Sequence, residues 1–165
     1  MKSRGNFFLS ISFIFCIICV SIAAYTALSA INAEATFVPP PFDTCAEEGL
    51  PEVPEELGWS EVYQDGMSFS ARICGAVNVE DNVATLYFTN TTPSNVWLML
   101  RVLDSKNHVI GQTGLIRPNE YIEKVALLST PEKGSDITLK IMAYEPETYY
   151  SLGAANLNTY IASTN

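Results

Sequence analysis

Histidine is almost missing from this chain of 165 residues: His108 stands alone. Without a second histidine and a cysteine pair nearby, none of the common zinc ligand patterns can be written. No Ser or Asp spacing around His108 specifies a catalytic triad, so it reads as an exposed turn residue. Basic residues are scarce too, with nine Lys and Arg against 18 Asp and Glu and a formal charge of -9. Nucleic acid is held by clustered cations that displace counterions from phosphate, and the chain has no such cluster, so that partner is set aside. Glycine-rich phosphate loops are lacking, because Gly111 and Gly114 fall between strand patterns with no helix after them. The paired carboxylates Glu145 and Glu147 could serve a glycosidase, but the domain is small for an enclosed sugar cleft. Too few carboxylates join Asp104 and Asn107 to hold calcium. These gaps point to a protein that is not an enzyme and has no cofactor or metal.

What is present begins with a long apolar run. Residues 7–31, FFLSISFIFCIICVSIAAYTALSAI, contain no charge. As a helix they would extend about 37 Å, and a bilayer core needs about 20 residues. Lys2 and Arg4 precede the run and no base follows it closely, which places the N-terminus in the cytoplasm and the rest outside, as a single-pass signal-anchor. The competing reading is a signal peptide cleaved near Leu28-Ser29-Ala30 or Ala33-Glu34-Ala35, which would leave the protein secreted. Residues 1–31 are thus a cytoplasmic tip and transmembrane helix, or a signal peptide, and the folded part is exported either way. Cys16 and Cys19 form a C-x-x-C inside this run, where they count as small apolar residues.

Residues 32–66 read as a linker. Pro39-Pro40-Pro41 favours extended polyproline II, and eight acids without a base lie between Asp43 and Asp65. Leu57, Trp59 and Val62 are the positions there that could dock on a domain edge. Cys45 lies in this stretch and Cys74 in the first strand beyond it. An exported thiol pair could close into a disulfide that clips the linker to that strand. Alternation puts Cys74 with Ser68, Ser70 and Arg72 on the outward face.

From residue 67 to the end at 165 the pattern is strands, with no 3.6-residue period. Met67, Phe69, Ala71 and Ile73 make an inner face; Leu86 and Phe88 follow, after a turn over 79–83. Val96, Leu98, Leu100 and Val102 alternate with Trp97, Met99, Arg101 and Leu103, and apolar groups on both faces mark a central strand. Returns follow at 108–112, at 121–128 (where the inward face is ambiguous), at 137–144 and at 155–161. Turns are signalled at Asp104–Asn107 and at Arg117-Pro118-Asn119-Glu120, and a bend at Gly153. About seven strands at short spacing predict an all-β fold, an Ig-like antiparallel β-sandwich with Trp97 in its core. Asn90-Thr91-Thr92 has the form of an N-glycan acceptor, which counts only in a eukaryotic secretory pathway.

One surface segment has the composition of a contact site. Tyr144, Glu145, Glu147, Tyr149 and Tyr150 fall within seven residues. Tyrosines and carboxylates together can stack on sugar rings or form a protein hot spot; equally, Tyr144 and Tyr149 could simply cover one end of the sandwich.

The stretch from Asn95 to Asp104, the runs from Ile110 to Pro118 and from Tyr121 to Glu123, the tyrosine segment and the Phe37-to-Phe42 stretch carry a resemblance. They resemble small membrane-anchored β-sandwich proteins of Gram-positive (Firmicutes-type) bacteria, some of them on mobile elements. The resemblance covers most of residues 37–161. It implies a bacterial surface location and brings no active-site residues with it. Together these readings predict a membrane-tethered extracytoplasmic binding or assembly module. It would be a non-catalytic accessory subunit of a surface, conjugation or secretion apparatus, with protein partners in the cell envelope. The alternative is an adhesin or glycan-binding surface domain, with a glycan as the partner.

Overall fold

The computed structural model describes residues 37–62 and 68–162. Ten strands make it up: β1 Glu47–Glu48, β2 Trp59–Val62, β3 Ala71–Cys74, β4 Asn78–Glu80, β5 Val83–Asn90, β6 Trp97–Leu103, β7 Val109–Gln112, β8 Glu120–Ala126, β9 Asp136–Tyr144 and β10 Ser151–Tyr160. They form two antiparallel sheets. A six-stranded sheet runs β1-β8-β5-β3-β2 with β4 paired to β5, and a four-stranded sheet runs β10-β9-β6-β7. The all-β expectation therefore holds, and there is no helix among the described residues. The apolar run 7–31 and Met67 lie outside them.

The alternations read from the sequence bury as expected. Phe69, Ala71 and Ile73 with Leu86 and Phe88 meet Leu98, Leu100 and Val102 and Ile137, Leu139, Ile141 and Ala143 in one core. Burying each Val, Leu, Ile or Phe among these is worth about 1.5–3 kcal/mol. β6 lies between β9 and β7, and both its faces are apolar because Leu98, Leu100 and Val102 enter the inter-sheet core while Met99 and Trp97 join a second cluster on the outer face. The ambiguity of 121–128 has a physical origin. A bulge between Thr85 and Phe88, with Tyr87 at φ 50°, adds a residue to β5 opposite β8. Along β8 the inward set shifts from Ile122 to Val125 and Leu127.

Turns follow their chemistry. Asp81 and Asn82, at φ 47° and 62°, close the two-residue β4–β5 hairpin, so the expected turn over 79–83 narrows to its two central residues. Asn119 at φ 64° follows Pro118 in the turn that enters β8. Gly153 at φ 118° marks a bulge within β10, which starts four residues before the expected strand.

Four expectations are corrected. First, the compact unit begins at Pro39, not near residue 67. Phe42 bridges Leu115, β1 pairs with β8, and β2 pairs with β3, so much of the acidic stretch is built into the domain. Glu47, Glu48, Glu52, Glu55, Glu56 and Glu61 stay exposed while Ala46, Val53, Leu57 and Val62 pack inward. Second, Cys45 and Cys74 are both free, and the clip between them is not formed. Cys74 lies opposite Ile73 in the alternation, yet it is fully buried, because the segment carrying Val53 and Leu57 packs over that end of β3. Its thiol donates to the Thr85 carbonyl at 3.4 Å, and burial pushes its pKa up to about 12. Third, Trp97 is not in the inter-sheet core; it belongs to a second cluster on the outer face of the four-stranded sheet. Fourth, Asn90 is unavailable as a glycan acceptor. Its side chain is fully buried, and Nδ2 donates to the carbonyls of Val96 at 2.8 Å and Ile116 at 3.4 Å.

Two outcomes are expected. Asn90→Ala leaves those carbonyls without their donor and should cost about 1–3 kcal/mol, read as a lower midpoint in urea unfolding. Native alkylation at pH 8 followed by peptide mapping should label Cys45 and spare Cys74, whose thiolate is not populated there; equal labelling would contradict the buried position.

Candidate functional site

The tyrosine segment is the loop that joins β9 to β10. It is tightly tied. The Tyr149 and Thr148 amides donate to the carbonyls of Glu145 at 3.0 Å and Pro146 at 2.7 Å, and the Glu145 amide donates to the Tyr150 carbonyl at 2.8 Å. The Thr148 hydroxyl donates to the Glu145 carboxylate at 2.6 Å. Glu147 and Tyr149 take positive φ values of 65° and 58° to make the bend. Such values are uncommon outside glycine, and they aim successive side chains in different directions.

The five residues singled out in the sequence separate into two groups. Tyr144 and Tyr149 are half-buried over Met99, Leu115 and Met142. Tyr149 stands edge-on to Trp97 with ring centroids 5.4 Å apart, and Trp97 stands edge-on to Phe42 at 4.8 Å. The Arg117 guanidinium lies 3.8 Å above the Phe42 ring. The Tyr144 hydroxyl points to the Met142 sulfur at 3.8 Å. These two tyrosines therefore cover a small apolar cluster. Glu145, Glu147 and Tyr150 are exposed, Tyr150 at 73%, and Leu152 beside it is 37% exposed.

Phe42, Trp97 and Arg117 complete the aromatic row, and the sequence did not place them there. Phe42 is brought in by a strap from the N-terminal side. The Asp43 amide donates to the Leu115 carbonyl, and the Leu115 amide to the Pro41 carbonyl, both at 2.9 Å. The Asp43 carboxylate also accepts the Gly114 amide at 2.7 Å. A parallel bridge over about 70 residues of intervening chain leaves no local pattern to read.

The other chemical candidate is remote from this row. His108 lies in the β6–β7 turn with Nδ1 3.2 Å from an Asp104 oxygen. The His108 and Lys106 amides each donate to Asp104 at 2.8 Å and hold its carboxyl below the usual range, with the His108 amide the largest cause. This is a turn-closing arrangement. Glu145 and Glu147 lie in the β9–β10 loop, on a different connection. Among the described residues no group of three or more His, Cys, Asp or Glu side chains converges as a metal site would need.

The strap makes a sharp demand at Gly114. A Cβ there would sit 2.5 Å from the Asp43 nitrogen and 2.7 Å from its Cα. Gly114→Ala should therefore push the strap off, cost about 1–3 kcal/mol, and shift the Trp97 contribution to the fluorescence, isolated in a Trp59→Phe background, as Phe42 withdraws.

No protein-family model matches the chain, and no curated protein matches it. A solved structure of Ruminococcus gnavus β-glucuronidase in complex with uronic isofagomine is similar over 54% of this chain and 15% of that one. Its sequence identity is 16% and its TM-score 0.36. The chain thus spans a small part of that enzyme's length.

Proposed function

We propose that the chain is a membrane-tethered, extracytoplasmic binding or assembly module, a non-catalytic accessory subunit of a bacterial surface, conjugation or secretion apparatus. We read its fold as an Ig-like sandwich. The order β8-β5-β3 in one sheet against β10-β9-β6-β7 in the other supports that reading, since it matches the strand order of such sandwiches.

The observation that carries the function is the tip of the β9–β10 hairpin. Tyr150 on the loop and Leu152 at the start of β10 are exposed apolar groups, and the loop backbone is already fixed by its own hydrogen bonds and by Tyr149 on Trp97. A rigid aromatic anchor loses little conformational freedom on docking, and such residues dominate binding energy at interfaces. Sandwich folds host many functions, so the site and not the fold bears the argument.

Crosslinking the full-length protein in its native membrane tests this. Defined envelope proteins should be captured, and the double change Tyr150→Ala with Leu152→Ala should remove them without unfolding the domain. Recovery of the protein alone would defeat the assembly reading. Binding on a glycan array lost on Tyr150→Ala would then favour the adhesin reading.

A further inference from the structure

The edge of the four-stranded sheet is formed by β10, which carries no charged residue and no proline over its ten positions. Charges and prolines are the usual means of blocking an edge. Its two ends are occupied. The Leu152 carbonyl accepts the Ser68 hydroxyl at 3.2 Å, and the Tyr160 carbonyl accepts the Val77 amide at 3.3 Å. The Tyr160 bond shows which residues face away from β9. Backbone groups of an antiparallel strand alternate in direction, so Asn158, Asn156 and Ala154 aim their N–H and C=O outward as well. No partner for them exists among the described residues.

The outer face beside this edge carries a second feature. Cross-strand register lines up Gln112, Arg101, Lys140 and Asn156 in one row over β7, β6, β9 and β10. Arg101 and Lys140 are direct neighbours of like charge, an arrangement that costs stability. The strand cations of the other sheet are neutralised: Arg72 meets Glu61 at 2.5 Å and Lys124 meets Glu123 at 3.0 Å. Among the described residues neither Arg101 nor Lys140 forms an ion pair, in a chain with twice as many acids as bases. Arg101 is held toward Gln112 by its Nε at 2.7 Å. Repulsion from Arg101 favours a Lys140 ammonium turned toward Asn156 and the open edge.

We propose that β10 accepts an extended acidic peptide strand from a partner protein. The peptide backbone pairs with residues 154–158, and a Glu opposite Asn156 meets Lys140. Strand spacing puts that Glu about 10 Å from the Lys140 backbone, a distance the two side chains cover together. The ladder supplies affinity for any extended chain and the cation row supplies the choice of side chain. On a molecule of net charge -9 an acidic strand is repelled elsewhere, so the row also sets where it lands. This inference rests on the binding-module reading and names the partner chemistry for it.

The probe is a pair of synthetic strands of about ten residues, alternating Val and Thr, with a central Glu in one and Lys in the other. Against the full chain the Glu peptide should bind about tenfold more tightly than the Lys peptide, as a charge-assisted contact requires. Lys140→Glu should invert that preference. Asn156→Pro, which removes one outward N–H from an edge position that tolerates proline, should weaken both peptides. Lys140→Gln should abolish the preference without lowering the melting temperature, since it relieves the like-charge pair. Equal binding of the two peptides, no binding of either, or a Lys140→Glu variant that keeps the original preference would overturn the proposal. Membrane crosslinks that depend on Tyr150 would survive that outcome, so the broader reading would stand.

Discussion

Everything at one end of the fold turns on the buried amide of Asn90. It closes β5 in the six-stranded sheet, and its Nδ2 reaches the carbonyls of Val96 and Ile116. Those two residues belong to the connections that carry the chain from β5 to β6 and from β7 to β8, so one side chain ties both passages between the sheets. Its Oδ1 accepts the Thr92 amide at 3.1 Å, and its main-chain carbonyl accepts the Asn119 amide at 2.9 Å. Thr92 extends the network to both backbone groups of Ser70. A buried amide is costly unless satisfied, and this one makes partial alternatives expensive. With the passages held, Leu98 and Ile116 can exchange their amide bonds at 3.0 and 2.8 Å and close the end of the core.

The same closure sets the outer face of the four-stranded sheet. Thr113 accepts the Leu100 amide at 3.0 Å and donates to the Gly114 carbonyl at 2.7 Å, turning the chain so that Gly114 faces the strap. The strap delivers Phe42 to Trp97, and Trp97 in turn supports Tyr149. A hairpin that would otherwise flex at its tip is therefore braced by a contact to a segment about 100 residues earlier in the chain. That bracing matters for recognition, because a contact group held in place before binding wastes less free energy on ordering.

Charge is distributed with the same asymmetry. The exposed acids of β1, β2 and the turns between them belong to the six-stranded sheet and its N-terminal edge. The central rows of the four-stranded sheet show amides, methionines, aromatics and two cations, Arg101 and Lys140, that form no ion pair among the described residues. A protein acidic in total thus presents a face and an edge that are not acidic, and those surfaces are the ones least repelled by an acidic neighbour.

Much of the fold was legible from period-two patterning. The inward sets of β3, β6 and β9, the central place of β6, the turn at Pro118-Asn119 and the Gly153 bend all follow from local side-chain chemistry, which backbone geometry repeats faithfully. The tyrosine loop was legible as a surface segment for the same reason. Tertiary structure alone decided the rest. An acidic, Pro-rich stretch looks like linker until strands elsewhere offer it ladder positions, as β8 and β3 do for β1 and β2. Cys74 has the outward position the pattern assigns, but only the covering segment makes that position buried. The sequence determined which residues alternate and where the chain turns. Among the described residues, the three-dimensional pairing decided which outward residues are covered, which edge is left open, and which charges find no partner, because each of these depends on contacts between segments far apart in the chain.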